Sequence, residues 1–273
     1  MDKYRKEVIN VLAKFVPRKT IFFDVIVTEH CNLNCKGCGS FCPISEEEYI
    51  DICELERDYA RLAKLTDGVM HHINLLGGEP LLHKNIEKIM QLTRKYFPVG
   101  IINLVTNAIL LDKMDESFWK TCRTQNICIC PTKYPVKIDY DFLEKKAKEQ
   151  EVEYRYFDDM TEGGWTHKVM DLKGSRYENC SFMYCVNANL CPVLKHGKLY
   201  PCPTVAHINK FNKAFGVDLK VCQGDYIDIY KVKKQEKIMN FLAEPIPFCR
   251  YCNTPGLRKE EWGISQRSIS EWT

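Results

Sequence analysis

The sequence lacks long apolar runs: no stretch approaches the ~20 consecutive apolar residues that a membrane-spanning helix needs. It also lacks a dominant charge, with 39 Lys+Arg against 36 Asp+Glu for a net +3, too little to argue for a nucleic-acid or membrane partner. The opening MDKYRKEVINVLAKF is amphipathic and carries acids, with Val8, Leu12 and Phe15 on one helical face, so the continuous apolar core of a secretory signal is missing too. Internal repeats and low-complexity segments are absent. Together these absences predict a cytoplasmic protein. What is abundant is cysteine, fifteen in 273 residues. That stays below the about 8–10% of small disulfide scaffolds. In a cytoplasmic chain it argues for metal or redox chemistry rather than a disulfide framework. The apolar share of 45% and charged share of 27% are those of an ordinary globular protein, long enough for one α/β barrel domain.

Three of the cysteines stand together in Cys31-Asn32-Leu33-Asn34-Cys35-Lys36-Gly37-Cys38, directly after an apolar run (21–28) that reads as a buried strand. Thiolates at spacings of four and three can converge on one small inorganic centre. A structural zinc site is tetrahedral and closed by four ligands. Three thiolates suit a [4Fe–4S] cluster with one iron left open. The chain then alternates. Ser45-Glu46-Glu47-Glu48 reads as a capping box for a helix carrying Ile52, Leu55, Tyr59 and Leu62 and ending at Asp67-Gly68. Strands are predicted over 72–76, 100–105, 126–130 and 152–157, and helices over 85–96, 116–123 and 140–150. Strand–helix alternation with short connections means a parallel sheet with right-handed crossovers. In such folds the reactive loops follow the strands.

CxxxCxxC after a first strand, with Gly77-Gly78-Glu79-Pro80 about forty residues on at the end of the next, resembles the radical S-adenosylmethionine (radical SAM) enzymes. The resemblance implies an α/β fold: a partial (β/α)6 TIM-like barrel over 18–160, preceded here by an N-terminal helix over 1–17. It implies that Cys31, Cys35 and Cys38 bind a [4Fe–4S] cluster whose open iron chelates S-adenosylmethionine. Gly77, Gly78 and Glu79 would hold the cofactor's amino group. Thr106 and Asn107 would face the cofactor, Ala108 replacing the glycine of the family's Thr-Asn-Gly. In that family one electron, from a donor such as flavodoxin or ferredoxin, cleaves the cofactor to methionine and a 5′-deoxyadenosyl radical, which abstracts a substrate hydrogen atom. Two departures stand out. Cys130-Pro131-Thr132-Lys133 occupies the place of Ser-x-Asp, and Gly37 that of an aromatic residue near the adenine, a space Phe41 is expected to fill. Cys42 is read as a structural thiol, since a fourth thiolate would close the site. Cys53, Cys122, Cys128, Cys130 and Cys222 are expected to be buried small hydrophobes.

Beyond residue 158 glycines break the rhythm and cysteines become dense. A β-hairpin turning at Lys195-His196-Gly197-Lys198 separates Cys185 from Cys202, and a helix over about 231–242 precedes Cys249-Arg250-Tyr251-Cys252. This resembles the twitch domain of the SPASM/twitch branch of the superfamily, where four such cysteines bind an auxiliary [4Fe–4S] cluster. The ligands so implied are Cys185, Cys202, Cys249 and Cys252, with Cys180 or Cys191 as alternatives to Cys185. Linker and auxiliary domain would span 161–256. A zinc ribbon would use the same four thiols. The tail over 257–273 is expected to pack as a helix without chemistry. Glu162, Trp165 and His167 in the linker, with Lys133 and Tyr134, are the pocket candidates. The reaction expected is oxidation or epimerisation of a small polar metabolite of sugar or aminocyclitol type. The roughly 20 residues ahead of the first strand are too few for the leader-binding domain of many peptide-modifying relatives. Peptide maturation, with leader recognition supplied by a separate protein, is the alternative. A zinc-stabilised binding protein is the reading of another class.

Overall fold

The computed structural model describes residues 10–161, 165–167 and 169–273, with the backbone alone for 165–167. Strand β1 (Phe23–Thr28) is buried along its whole length. Phe23, Val25 and Val27 enter the main core with Tyr59, Leu62 and Phe97, so by the two-residue period of a strand Asp24 and Ile26 point to the opposite face. β2 (Val69–Gly77), β3 (Val99–Thr106), β4 (Ile127–Lys133) and the short β5 (Asp158–Asp159) follow. Helices α1 (Ile52–Thr66), α2 (Ile86–Tyr96), α3 (Glu116–Thr124) and α4 (Tyr140–Glu149) cross over between them. Neighbouring strands from β1 to β5 all pair in parallel. A sixth parallel strand, β7 (Val193–Lys195), lies beside β1 rather than beyond β5. It opens a hairpin with β8 (Lys198–Tyr200), and β9 (Ile227–Asp228) closes that edge of an open, partial TIM-like sheet. The hairpin turns through His196 and Gly197 at φ 49° and 69°, two consecutive positive values, as tight primed turns require.

Several sequence expectations shift. Helix α1 starts at Asp51, whose side chain accepts from Glu54 N, and not at Ser45. Residues 48–50 are extended instead, because Glu48 O and Ile50 N bond to Glu29 and Val27 at the exit of β1. The strand expected over 152–157 runs along β4 with bonds from Arg155 N and Phe157 N, but regular pairing begins only at Asp158. Two helices went unread, α5 (Glu178–Tyr184) and α6 (Pro203–Phe215), and α7 (Gln235–Leu242) is shorter than expected. The tail is not a helix. It forms β10 (Arg258–Glu260), antiparallel to β6 (Trp165–His167), and a single 3-10 turn, Ile269–Glu271. It is held by a second core in which Trp272 packs with Phe41, Val205, Phe211 and Phe248. Among the described residues no helix is long and apolar enough to cross a membrane.

Candidate functional site

At the carboxyl ends of β1 to β4 a cavity of about 290 Å³ is lined by Cys31, Cys35 and Cys38 on one side and by Gly77, Gly78, Thr106 and Asn107 on the other. Thr132, Tyr134, Phe157, Asp158 and Met160 form a further wall, and Cys42 also borders the cavity. Burial pushes the Cys31 thiol up to about 11 and the Cys35 thiol up to about 12, each raised further by the neighbouring cysteines. Cys38 moves the other way, down to about 6, because the Cys42 side chain bonds to it, with Lys210 adding a favourable charge. Four thiols line the cavity, Cys42 beside Cys38 among them, and the three at Cys31, Cys35 and Cys38 match the donor set of a cluster with an open iron. Bound iron would deprotonate them outright. Among the described residues no three His, Cys, Asp or Glu side chains are gathered tightly enough to hold one metal ion.

The Gly-Gly-Glu turn owes its glycines to the backbone beside it. A Cβ on Gly77 would lie 2.3 Å from Thr28 O, and one on Gly78 2.0 Å from His30 O. The close approach is used: Gly78 N donates to Thr28 O at 2.7 Å and Glu79 N to His30 O at 2.8 Å, tying the end of β2 to the start of the cysteine loop. Glu79 is fully buried. Its Oε1 accepts from Thr106 Oγ1 (2.6 Å) and Leu81 N (3.1 Å), and its Oε2 from Asn107 N (2.8 Å). Burial outweighs these bonds and pushes the carboxyl up to about 7. Glu79 therefore braces the cavity wall, while Gly77 and Gly78 line it. Asn107 Nδ2 donates to Asn32 Oδ1 at 2.7 Å and approaches Cys31 Sγ at 3.9 Å, which joins the end of β3 to the same loop.

Sequence reasoning missed what lies behind the loop. Glu29 is buried, with Oε1 2.9 Å from Lys195 Nζ and 3.2 Å from His207 Nδ1, and Oε2 against Lys210 Nζ. Burial alone would raise its carboxyl, but the His207 bond and the two ammonium groups hold it well below the usual range. Burial pushes His207 down to about 4, and its Nδ1 also lies 3.3 Å from Lys195 Nζ. The tail covers the loop from outside. Lys36 N donates to Gly263 O, Ser265 N to Asn34 O, Gly37 N to Glu271 Oε2 and Trp272 Nε1 to Cys38 O. Phe41 does not fill an adenine pocket. With φ at 58° it turns into the core, its ring 5.5 Å from Phe211 and 5.9 Å from Trp272. Lys133 is turned away as well, its ammonium 4.1 Å over the Tyr156 ring. Glu162 lies outside the described residues, as do the side chains of Trp165 and His167. Cys122, Cys128 and Cys130 are buried as expected, but Cys53 and Cys222 are exposed.

A second group of thiols gathers between α5, α6 and the 249–252 turn. Cys185, Cys202 and Cys252 line one apolar cavity with Met170 and Thr204. Burial pushes Cys249 up to about 12, with the Cys202 and Cys185 thiols close enough to raise it further. Cys180 is exposed, and neither it nor Cys191 borders this space. The donor chemistry of the four thiols suits a cluster, and the cavity that three of them border measures about 20 Å³.

The Radical SAM superfamily profile matches residues 25–123. The GTP 3′,8-cyclase of Clostridium botulinum (strain Hall) is 34% identical over 103 residues, 38% of this chain and 32% of the cyclase. That of Chlorobaculum tepidum is 30% identical over 103 residues, 38% and 30% of the two chains. The match thus spans about a third of these relatives' length. A crystal structure of BtrN in complex with AdoMet and 2-DOIA shares the fold, with a TM-score of 0.53 at 19% identity over 87% of this chain and 94% of that one. The profile match takes in most of β1, the cysteine loop, the Gly-Gly-Glu turn and Thr106-Asn107, so it is this part of the chain that is similar to the radical SAM superfamily.

Proposed function

We propose that the protein is a radical SAM enzyme that binds a [4Fe–4S] cluster through Cys31, Cys35 and Cys38 and oxidises or epimerises a small polar metabolite. One observation carries this: the three thiols, Gly77, Gly78, Thr106 and Asn107 line a single cavity at the carboxyl ends of parallel strands. When bound, the cluster and S-adenosylmethionine supply reductive cleavage to a 5′-deoxyadenosyl radical. The chain's own part is to hold the loop, shape the cofactor wall and exclude water. Gly77 and Gly78 offer backbone to the cofactor, and Asn107 fixes the loop beside Cys31. For the substrate, no lysine, arginine or histidine among the described residues lines the cavity, and Asp158 is its one carboxylate. That supports a neutral or cationic polar molecule over a nucleoside triphosphate, whose phosphates call for cationic partners. The likeness to BtrN over 87% of the chain points the same way, toward a protein seen with AdoMet and 2-DOIA. Cys185, Cys202, Cys249 and Cys252 are the ligands we assign to an auxiliary cluster.

The test is anaerobic reconstitution, then iron and sulfide counts and a 5′-deoxyadenosine assay with dithionite. About eight irons per chain with cleavage supports both clusters. About four with cleavage keeps the enzyme and removes the auxiliary site. Zinc without iron or cleavage leaves a binding protein. Cys35→Ala should abolish cleavage while retaining the auxiliary iron. Cleavage at the wild-type rate in that variant would refute the loop assignment.

A further inference from the structure

Residues 14–18, ahead of the first strand, are bonded to the loop that carries Cys185. Lys14 Nζ donates to Met183 O at 2.9 Å and to Cys185 O at 2.7 Å, across 171 residues of sequence in the second case. Met183 O belongs to the last turn of α5, where carbonyls have no donor within the helix and a lysine ammonium is a good substitute. Were the helix to continue, Asn187 N would close on Met183 O. It donates instead to Cys185 Sγ, at 3.3 Å. Lys14 thus satisfies the carbonyl that the Asn187 N–H leaves, and that N–H is spent on the sulfur. The loop is tied back a second time. Asn189, 2% exposed and at φ 53°, donates through Nδ2 to Lys14 O at 3.1 Å and to Val16 O at 3.2 Å, and Arg18 Nε donates to Asn189 O at 3.1 Å. The Phe15 ring lies 5.0 Å from that of Phe182 along the same seam. From the middle of α5, Ser181 Oγ donates to Cys252 O at 2.7 Å, so one helix connects the Cys185 loop to the 249–252 turn.

We propose that Lys14 and Asn189 are positioning residues for the auxiliary cluster, clamping the N-terminal segment to the Cys185 loop so that the sulfur is held in place before iron binds. This rests on the assignment of Cys185 to that cluster. Both residues act through the loop backbone and the Asn187 N–H, and neither lines the cavity at Cys31, Cys35 and Cys38. The clamp therefore serves one thiol group and not the other.

The experiment compares iron and sulfide content, the electron-paramagnetic-resonance spectrum and 5′-deoxyadenosine formation in the reconstituted full chain and its variants. Lys14→Met keeps the aliphatic stem and removes the ammonium. Asn189→Gly keeps the left-handed backbone, removes both side-chain bonds and stands in if Lys14→Met fails to fold. Each should hold about four irons per chain where wild type holds about eight, a twofold loss. The signal that changes on adding S-adenosylmethionine should remain, with cleavage at the wild-type rate. Lys14→Arg, whose guanidinium also offers donors to two carbonyls, should restore the iron content. Wild-type iron in either folded variant overturns the inference. So does a parallel loss of both clusters, which would mark a general stabilising role. A wild-type chain that cleaves S-adenosylmethionine while holding only about four irons would instead overturn the auxiliary-cluster assignment, and this inference with it.

Discussion

Asp24 sits on the inner face of β1, and burial pushes its carboxyl up to about 7 although Asn74 Nδ2 donates to it at 2.8 Å. It starts a row that runs from buried to exposed: Asn103 Nδ2 donates to Asn74 Oδ1 at 2.8 Å, and a guanidinium nitrogen of the exposed Arg155 to Asn103 Oδ1 at 3.1 Å. The arginine lies on the far side of β2, β3 and β4 from the carboxyl, and burial keeps the charge at Asp24 unfavourable. A folded-state value above the unfolded one fixes the sign of the pH dependence. Below about pH 4 both states hold the proton. Between about 4 and 7 only the folded state does, so this contribution to stability is lost as pH rises through that window. Glu79, also raised to about 7, acts in the same direction. Asp24→Asn keeps the acceptor for Asn74 and removes the ionisation. It should be more stable than wild type at pH 8 by a few kcal/mol, at about 1.4 kcal/mol per unit, with the gain shrinking toward pH 4. Urea denaturation at both pH values measures this. A loss of stability at pH 8 would mean that the row compensates the carboxylate.

The turn that ends β2 makes its case through backbone alone. Gly78→Ala would set a Cβ 2.0 Å from His30 O, and nothing flexible on that side can give way. The variant should lose at least about 2 kcal/mol in urea titration, toward the costly end of point substitutions, and should bind less iron, because the shifted strand is Cys31's immediate neighbour. Wild-type iron content at wild-type stability would show that the turn relaxes freely. The motif at 77–80 was legible in the sequence because its residues are contiguous and follow an apolar strand. Its physical cause was not: the reading expected glycine for a ligand's approach, while the contact is between two backbone segments 47 to 49 residues apart, a spacing no local pattern encodes. The capping box at Ser45 failed for a related reason. Tertiary pairing of Ile50 with β1 overrode a good local signal, and Asp51 took the cap.

Across the whole molecule, legibility falls with sequence separation. The parallel alternation and the cysteine loop follow from patterns within a few residues, whereas the supports of that loop come from far away. Lys195, His207 and Lys210 reach Glu29 from the hairpin and α6, and the tail returns over 234 residues to Gly37 and Cys38. A tail with mixed charges and two tryptophans gave no periodic signal that it folds over the cysteine loop. Trp272 is where this closure is tested. It is 2% exposed, its ring lies 5.8 Å from Phe215 and 5.9 Å from Phe41, and its N–H donates to Cys38 O at 3.0 Å. Trp272→Ala should cost about 3–5 kcal/mol through the cavity it leaves. It should also lower iron per chain, because the Cys38 turn loses its outer anchor. Trp272→Phe keeps most of the packing and strands only the Cys38 carbonyl, for about 1–3 kcal/mol. If the tail supports the loop, iron content should fall in the order wild type, Trp272→Phe, Trp272→Ala. If it merely covers it, stability will fall in that order while iron content stays at the wild-type level in both variants.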